Sequence, residues 1–381
     1  MSLATTSHRL PINEKLWRVR WLFVLLLCLV AGVGAAMLYS AANGSIQPWA
    51  SRHCARFAVA LVLMIVIAVT DVRLWLRHAY SLYALALCLL GAVELAGSVG
   101  MGAQRWIDLG VINLQPSELM KVALVLALAR YFHGAGSDDV GRPLKLIPPL
   151  ALVAAPVALV LKQPDLGTAL MLAIASGALF FAAGVRLWMF AGVMACGLAA
   201  APVAWQFLHR YQRQRVLTFL DPESDPLGSG YHILQSKIAL GSGGMFGKGF
   251  IQGTQSHLNF LPEKQTDFIF TMLAEEMGLI GAAALIGLYT LILIYCFAIA
   301  LAARNQFGRL LTTGITTTFF LYIFINMAMV MGLIPVVGVP LPLISYGGTA
   351  VVTIMIGFGL ILSVHVHRDV TIGRHGSGDE A

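Results

Sequence analysis

From Trp21 to Ser40 the chain runs for twenty residues without a charged side chain, and nine further apolar runs follow, at 54–70, 79–98, 116–133, 146–161, 166–184, 187–207, 267–303, 310–332 and 348–366. Lipid offers no water to satisfy an open backbone, so such runs read as helices, and about 20 apolar residues are what one crossing needs. Over 381 residues the chain is 58% hydrophobic and 11% charged, with a mean hydropathy of +0.80. These values lie outside the ranges of soluble domains. The expected fold is an all-α polytopic integral membrane protein, a single domain over 1–381 with about ten transmembrane helices. A large outer loop, 208–265, separates the seventh from the eighth. The first run is too long for a secretory signal and reads as a retained span. The run at 267–303 exceeds one crossing, so its first turns should stand above the hydrocarbon or tilt. The five cysteines show no CxxC spacing, and neither a disulfide framework nor a metal site is indicated.

Charge orders the ends. Arg9, Lys15, Arg18 and Arg20 precede the first run, Arg73 and Arg77 follow the second, and Arg368 and Arg374 follow the tenth. The positive-inside rule places these, and both termini, in the cytoplasm. Cations also accumulate on the opposite face, where Arg105, Lys121 and Lys162 lie in short connections or helix mouths, and Arg56, Arg213 and Arg215 in outer loops or at outer helix ends. An anionic partner in the outer leaflet would account for them. So would snorkelling to lipid headgroups, or pairing with Asp108, Glu118 and Asp165.

Four stretches carry possible chemistry. In "QRWIDLGVINLQPSELMK" (104–121), Pro116 suits a first helical turn and places Glu118 and Lys121 on one face. They either pin the helix mouth or wall a polar cavity, with Arg105 suited to fork onto phosphate and Trp106 to stack on a sugar. "KQPDLGTA" (162–169) is a tight hairpin with Lys162 and Asp165 at its tip. "LIPVVGVPLPLISYGGTA" (333–350) holds three prolines and no charge, which predicts a re-entrant loop, tolerated at membrane depth only where protein or a wet cavity covers it. Ser345 then leads into a helix N-terminus that could attract an anion or simply be capped. In the fourth, "FLPEKQTDFIFTMLAEE" (260–276), Thr266 as N-cap makes Asp267 the first helical residue. Glu275 then falls roughly 12 Å deeper and about 80° around, so the acids form no single cluster. Asp267 is placed either as a general base facing an outer cavity or as a complement to the helix dipole, worth under about 1 kcal/mol. Two features of the long loop complete the reading. "YHILQSKIAL" (231–240) puts Tyr231, Leu234 and Ile238 on one helical face, as an interfacial helix would, and "GSGGMFGKGF" (241–250) reads as a hinge rather than a phosphate loop.

Together, "AQRWIDLG", "QPSELMK", "QPDLGTA", "FLPEKQTDFIFTMLAEE" and "PLPLISYGG" resemble the shape, elongation, division and sporulation (SEDS) family of bacterial cell-wall polymerases, its elongation branch more than its division branch. Glutamine stands in "EKQTD" where many of that family carry histidine. The resemblance implies a ten-helix peptidoglycan glycosyltransferase of the bacterial plasma membrane that polymerises lipid II on the outer face. It implies Asp267 as the essential acid, with Arg56, Arg105, Trp106, Glu118, Lys121, Lys162, Asp165, Arg213, Arg215 and Ser345 around lipid II and the undecaprenyl-pyrophosphate-linked glycan. A divalent cation, Mg or Mn, is the one cofactor it leaves open. The implied partner is a class B penicillin-binding protein, a transpeptidase; nucleic acid is not expected. A lipid II flippase and a non-catalytic scaffold for that partner are the competing readings.

Overall fold

The computed structural model describes residues 11–100, 103–108, 110, 113–136, 140–207, 213, 217–219, 221, 229–258, 263–370 and 373. Each of the ten apolar runs coincides with a helix. In chain order the elements are α1 (Ile12–Arg18), α2 (Trp21–Ala41), α3 (Trp49–Val69), α4 (Val72–Ala96), β1 (Ser98–Gly100), β2 (Ala103–Asp108), β3 (Asn113–Leu114), α5 (Pro116–Gly134), α6 (Ile147–Lys162), α7 (Leu166–Ala183), α8 (Leu187–Phe207), α9 (Ser229–Ser242), α10 (Thr254–His257), α11 (Ile269–Ala302), α12 (Gln306–Val330) and α13 (Gly348–Val366). Among the described residues, eight helices are long and apolar enough to cross a membrane. Glu118, Lys121 and Arg130 keep α5 from counting among them, and α8 has an apolar stretch only over Leu187–Ala200.

Burial sorts the bundle. Along α13, 83% of the apolar window is buried, against 28% for α3 and α4, so α13 is interior and α3 and α4 are peripheral. Phe358 of α13 meets Phe23 of α2 and Phe319 of α12 edge to face, at 5.3 and 5.0 Å between centroids. Residues 191–200 of α8 are all exposed, so that helix stands off from the bundle.

Helix α1 and the C-terminal end of α13 share one end of the bundle. Lys15 donates to the Val69 carbonyl at 3.0 Å, Ser363 to that of Thr70 at 2.7 Å, and Arg18 pairs with Asp369 at 3.3 Å. At the far end lie the strands, α9, α10 and the turn before α11. The expected all-α chain thus carries a small antiparallel sheet, ordered β1-β2-β3, where a plain loop was expected. Ser98 opposite Trp106 and Ile107 opposite Leu114 set its register.

The segment 331–347 re-enters the bundle as the prolines predict. Tyr289 of α11 donates to the Pro342 carbonyl at 2.6 Å, and Val339, Leu341, Leu343 and Ile344 are buried. Its closest approach to α2 is at Gly34, where a Cβ would stand 2.6 Å from the Leu343 oxygen and 2.7 Å from the Ile344 Cα. Gly34→Val is therefore expected to destabilise the protein by about 1–3 kcal/mol, read as a lower melting temperature in detergent. Gly32→Ala, whose Cβ would meet nothing within 4 Å, should leave it unchanged.

The long eighth run is two helices merged at a break. Gly278 has φ 65° and ψ −165°, outside the reach of an ordinary L-residue. Residues 279–302 then give about 36 Å of helix at 1.5 Å per residue, one crossing. Residues 269–276 are buried throughout. The glycine-rich stretch, read from the sequence as a hinge, packs against this break. Lys248 and Gly249 donate their amides to the Glu275 and Glu276 carbonyls, both at 3.0 Å, and the Gly244 and Met245 carbonyls accept from Leu279 and Ile280 at 2.9 and 3.2 Å. Its turns supply the partners that the broken helix lacks. Side chains at Gly243 or Gly247 would collide with the carbonyls of Ala274 and Glu276.

The helix expected at 231–240 also forms, but it seats a different face. Ile233, Ser236 and Ala239 are buried, with Ser236 hydroxyl-bonded to Thr271 at 2.8 Å and donating to the Val330 carbonyl at 2.7 Å. Ile238 is exposed and Tyr231 and Leu234 are half-buried. Helix α9 therefore docks on α11 and α12, and the apolar face read as interfacial is its outer one.

Candidate functional site

Asp267 is not the first residue of α11. Residues 263–268 form turns, and α11 begins at Ile269 after Phe268, which makes no side-chain cap. Thr266, expected as N-cap, instead donates to the carbonyl and carboxylate of Glu263, both at 3.1 Å. Glu263 itself adopts φ 51°, which tightens this turn. Asp267 is half-buried, with its carboxylate against the re-entrant segment. A Cβ on Gly338, at φ +69°, would stand 3.5 Å from its Oδ2. The turn is held through its backbone: Tyr346 donates its amide to the Gln265 carbonyl at 2.8 Å, Ser345 its hydroxyl to that of Thr266 at 2.6 Å, and Asn326 its amide nitrogen to that of Asp267 at 3.0 Å.

Two predicted residues meet at this segment. Ser345 is 1% exposed, and its hydroxyl also accepts the Leu341 amide at 2.8 Å. Its hydrogen-bonding is thus taken up between the re-entrant loop and the turn. Arg56 of α3 lies 4.8 Å from the Tyr346 ring centroid and crosses the start of α13 beside Gly348. Its cation is half-buried, so it charges the same loop that holds Asp267.

A second group forms on the sheet. The Arg105 guanidinium donates to the Gln163 carbonyl at 3.2 Å and to that of Pro164, and lies 3.9 Å from Asp165. Asp165 in turn caps α7, accepting the Thr168 amide at 3.1 Å and its hydroxyl at 3.0 Å. Arg105 thus fastens β2 to the α6–α7 hairpin, while Lys162 at the tip is exposed. Neighbouring strand residues point to opposite faces, so Arg105 and the half-buried Trp106 serve different sides of β2.

Glu118 and Lys121 come together as their spacing indicates, at 2.6 Å and each 3% exposed. The hydroxyl of Tyr322, on α12, closes the group by donating to Glu118 and accepting from Lys121. Lys121 and Tyr322 of this triad border a small cavity of about 20 Å³ between α5, α12 and α13. Arg213 donates to the Gln206 carbonyl at 2.6 Å; Arg215 lies outside the described residues.

The remaining acids of the motif are structural contacts, as expected. Glu275 accepts Lys248 at 2.8 Å, the Gln255 amide at 2.8 Å and the Ser256 hydroxyl at 2.9 Å. Glu276 accepts Ser40 at 2.6 Å and meets His257 at 3.0 Å. Lys264, buried, donates to the Ser256 carbonyl at 2.9 Å. Burial draws its pKa below the usual lysine value, and the nearby Glu276 charge acts against that shift. Among the described residues no group of three or more His, Cys, Asp or Glu is placed to hold a metal ion. A divalent ion at Asp267 would have to take most of its ligands from substrate phosphates and water.

Asn326 and Tyr322 were missed in the sequence. Both lie in the apolar run 310–332, and the available signal was their polarity at that depth, where an amide or hydroxyl needs a partner.

Fold and site together define a polytopic helical membrane protein with a re-entrant segment against which the half-buried Asp267 packs. The family model for the cell cycle proteins FtsW, RodA and SpoVE matches residues 15–370, and the chain belongs to that family. It is 46% identical over 349 residues to the peptidoglycan glycosyltransferase MrdB of Escherichia coli K12, covering 91% of this chain and 93% of that one. To the probable peptidoglycan glycosyltransferase FtsW of Trichlorobacter lovleyi it is 39% identical over 358 residues, covering 90% and 92%. Among solved structures it resembles a chain from a peptidoglycan synthase complex that coordinates polymerization and crosslinking, with a TM-score of 0.80, 32% identity and coverage of 92% and 98%. The crystal structure of the rod shape determining protein RodA of Thermus thermophilus matches with a TM-score of 0.70, 28% identity and coverage of 93% and 98%.

Proposed function

We propose that this chain is a peptidoglycan glycosyltransferase that polymerises lipid II, with Asp267 as its general base. The observation that carries the assignment of the base is the placement of Asp267: the residue is half-buried, on a turn fixed at three successive carbonyls, beside a loop that a cation overlies. Asp267 takes the proton from the acceptor sugar hydroxyl as that oxygen attacks the anomeric carbon of the growing strand. The bond from that carbon to the pyrophosphate oxygen breaks, undecaprenyl pyrophosphate leaves, and the configuration inverts. A pyrophosphate leaving group needs little protonation, so cations suffice to stabilise it. The half-buried Arg56 and the exposed Lys162 are described cations suited to that task.

The end that holds α1 and the C-terminal end of α13 also carries Lys15, Arg18, Arg20, Arg73, Arg304 and Arg368; on this reading the positive-inside rule puts that end in the cytoplasm and Asp267 on the periplasmic side of the inner membrane. The stand-off of α8 leaves an apolar flank open to lipid, where polyprenyl tails can remain while the head groups react. A class B penicillin-binding protein is the fitting partner, since one structural relative belongs to a complex that couples polymerization to crosslinking. The motif similarity favours a role in elongation.

Purified chain and partner, given labelled lipid II with the transpeptidase blocked by a β-lactam, should yield glycan strands that the partner alone does not make. Strands of equal yield without this chain would leave a scaffold or a flippase; translocation of lipid II in liposomes without strands would select the flippase.

A further inference from the structure

We propose that Asn326 is a positioning residue for Asp267 and that Ser345 shares this task, an inference that rests on the reading of Asp267 as the base. Asn326 is fully buried on α12, inside a helix that is otherwise apolar around it. Its single amide nitrogen donates to the Asp267 carbonyl at 3.0 Å and to the Val339 carbonyl at 2.7 Å. Those two acceptors belong to the two strands of chain that flank the carboxylate: the turn 263–268 and the re-entrant segment around Gly338. Only a group with two hydrogens on one atom can join both from one side, which asparagine supplies and a hydroxyl or carboxylate does not. Among the described residues its buried Oδ1 has no hydrogen-bond partner.

Ser345 makes the corresponding link one residue earlier. Its hydroxyl donates to Thr266 and accepts from Leu341, so it too ties the turn to the re-entrant segment. Gln265, Thr266 and Asp267 are in consequence held at three consecutive carbonyls by groups from α12 and 331–347, so the position of the turn that bears the carboxylate is set through its backbone. Misplacement of a catalytic group by about 1 Å can cost about 10²-fold in rate.

The test compares wild type with Asn326→Ala, Asn326→Asp and Asp267→Asn, in complex with the partner, measuring kcat and KM for lipid II, the pH dependence of kcat, melting temperature and partner co-purification. Asn326→Ala and Asn326→Asp should lower kcat by about 10-fold to 10²-fold with KM for lipid II within about threefold, and should move the acid limb of the pH profile, because a displaced carboxylate senses different neighbours. In the Asp267→Asn background Asn326→Ala should add little further loss, since both act on one group. Wild-type kcat and pH profile in a folded Asn326→Ala protein overturns the proposal, provided Asp267→Asn is inactive. An active Asp267→Asn protein sinks the base assignment instead. If Asn326→Ala does not fold, Ser345→Ala read the same way decides, and failure of both to fold assigns the pair to stability alone.

Discussion

Asp267→Asn is expected to lower glycan strand synthesis by at least about 10²-fold while the protein still folds and binds its partner. Asparagine keeps the shape and most of the hydrogen-bonding capacity of the carboxylate but accepts no proton, and a general base contributes about 10² to 10⁴ in rate. The backbone carries the fixing bonds of this turn, at the carbonyls of Gln265, Thr266 and Asp267, so the substitution removes none of those contacts. The loss should therefore fall on kcat, with KM for lipid II little changed. A variant with wild-type strand yield would reduce Asp267 to a turn residue.

The largest effect on stability is expected at the buried triad. Lys121→Met leaves the Glu118 carboxylate with Tyr322 alone at 3% exposure, and removal of one partner from a buried ion pair costs about 3–5 kcal/mol. Much of the variant should fail to accumulate as folded protein, seen as loss of the monodisperse peak in detergent. The double variant Glu118→Gln/Lys121→Met removes both charges and should recover most of that stability, because an apolar or neutral pair avoids the desolvation that the ion pair must offset. Equal instability of single and double variants would show that packing on the small cavity between α5, α12 and α13, rather than charge, is what the pair supplies.

The helices were legible because lipid imposes one solution on a long apolar run, and all ten runs became helices. The re-entrant loop was legible for the complementary reason: three prolines, at 335, 340 and 342, forbid regular helix throughout 333–350. The limit was local pairing. Gly278 breaks α11 with a positive φ that an apolar run does not announce, and the partners for that break come from 243–249, some thirty residues earlier in the chain. Asp267 was identified as the acid of interest, yet its capping was misread, since Thr266 bonds back to Glu263 rather than forward into the helix. In α9, helical spacing alone could not say which of two faces is buried; the hydroxyls of Ser236 and Thr271 settle it. Asn326 was hidden by its surroundings, because a single amide in an apolar run carries no pattern.

The most direct measurement is the single-turnover rate of strand transfer as a function of pH, for wild type and Asp267→Asn side by side in the partner complex. The wild-type rate should fall toward acid with the uptake of one proton, as a carboxylic acid cannot accept the hydroxyl proton, and the variant should be slow and flat over the same range. An acid limb of equal slope in both proteins would place the proton acceptor on another group and contradict the assignment.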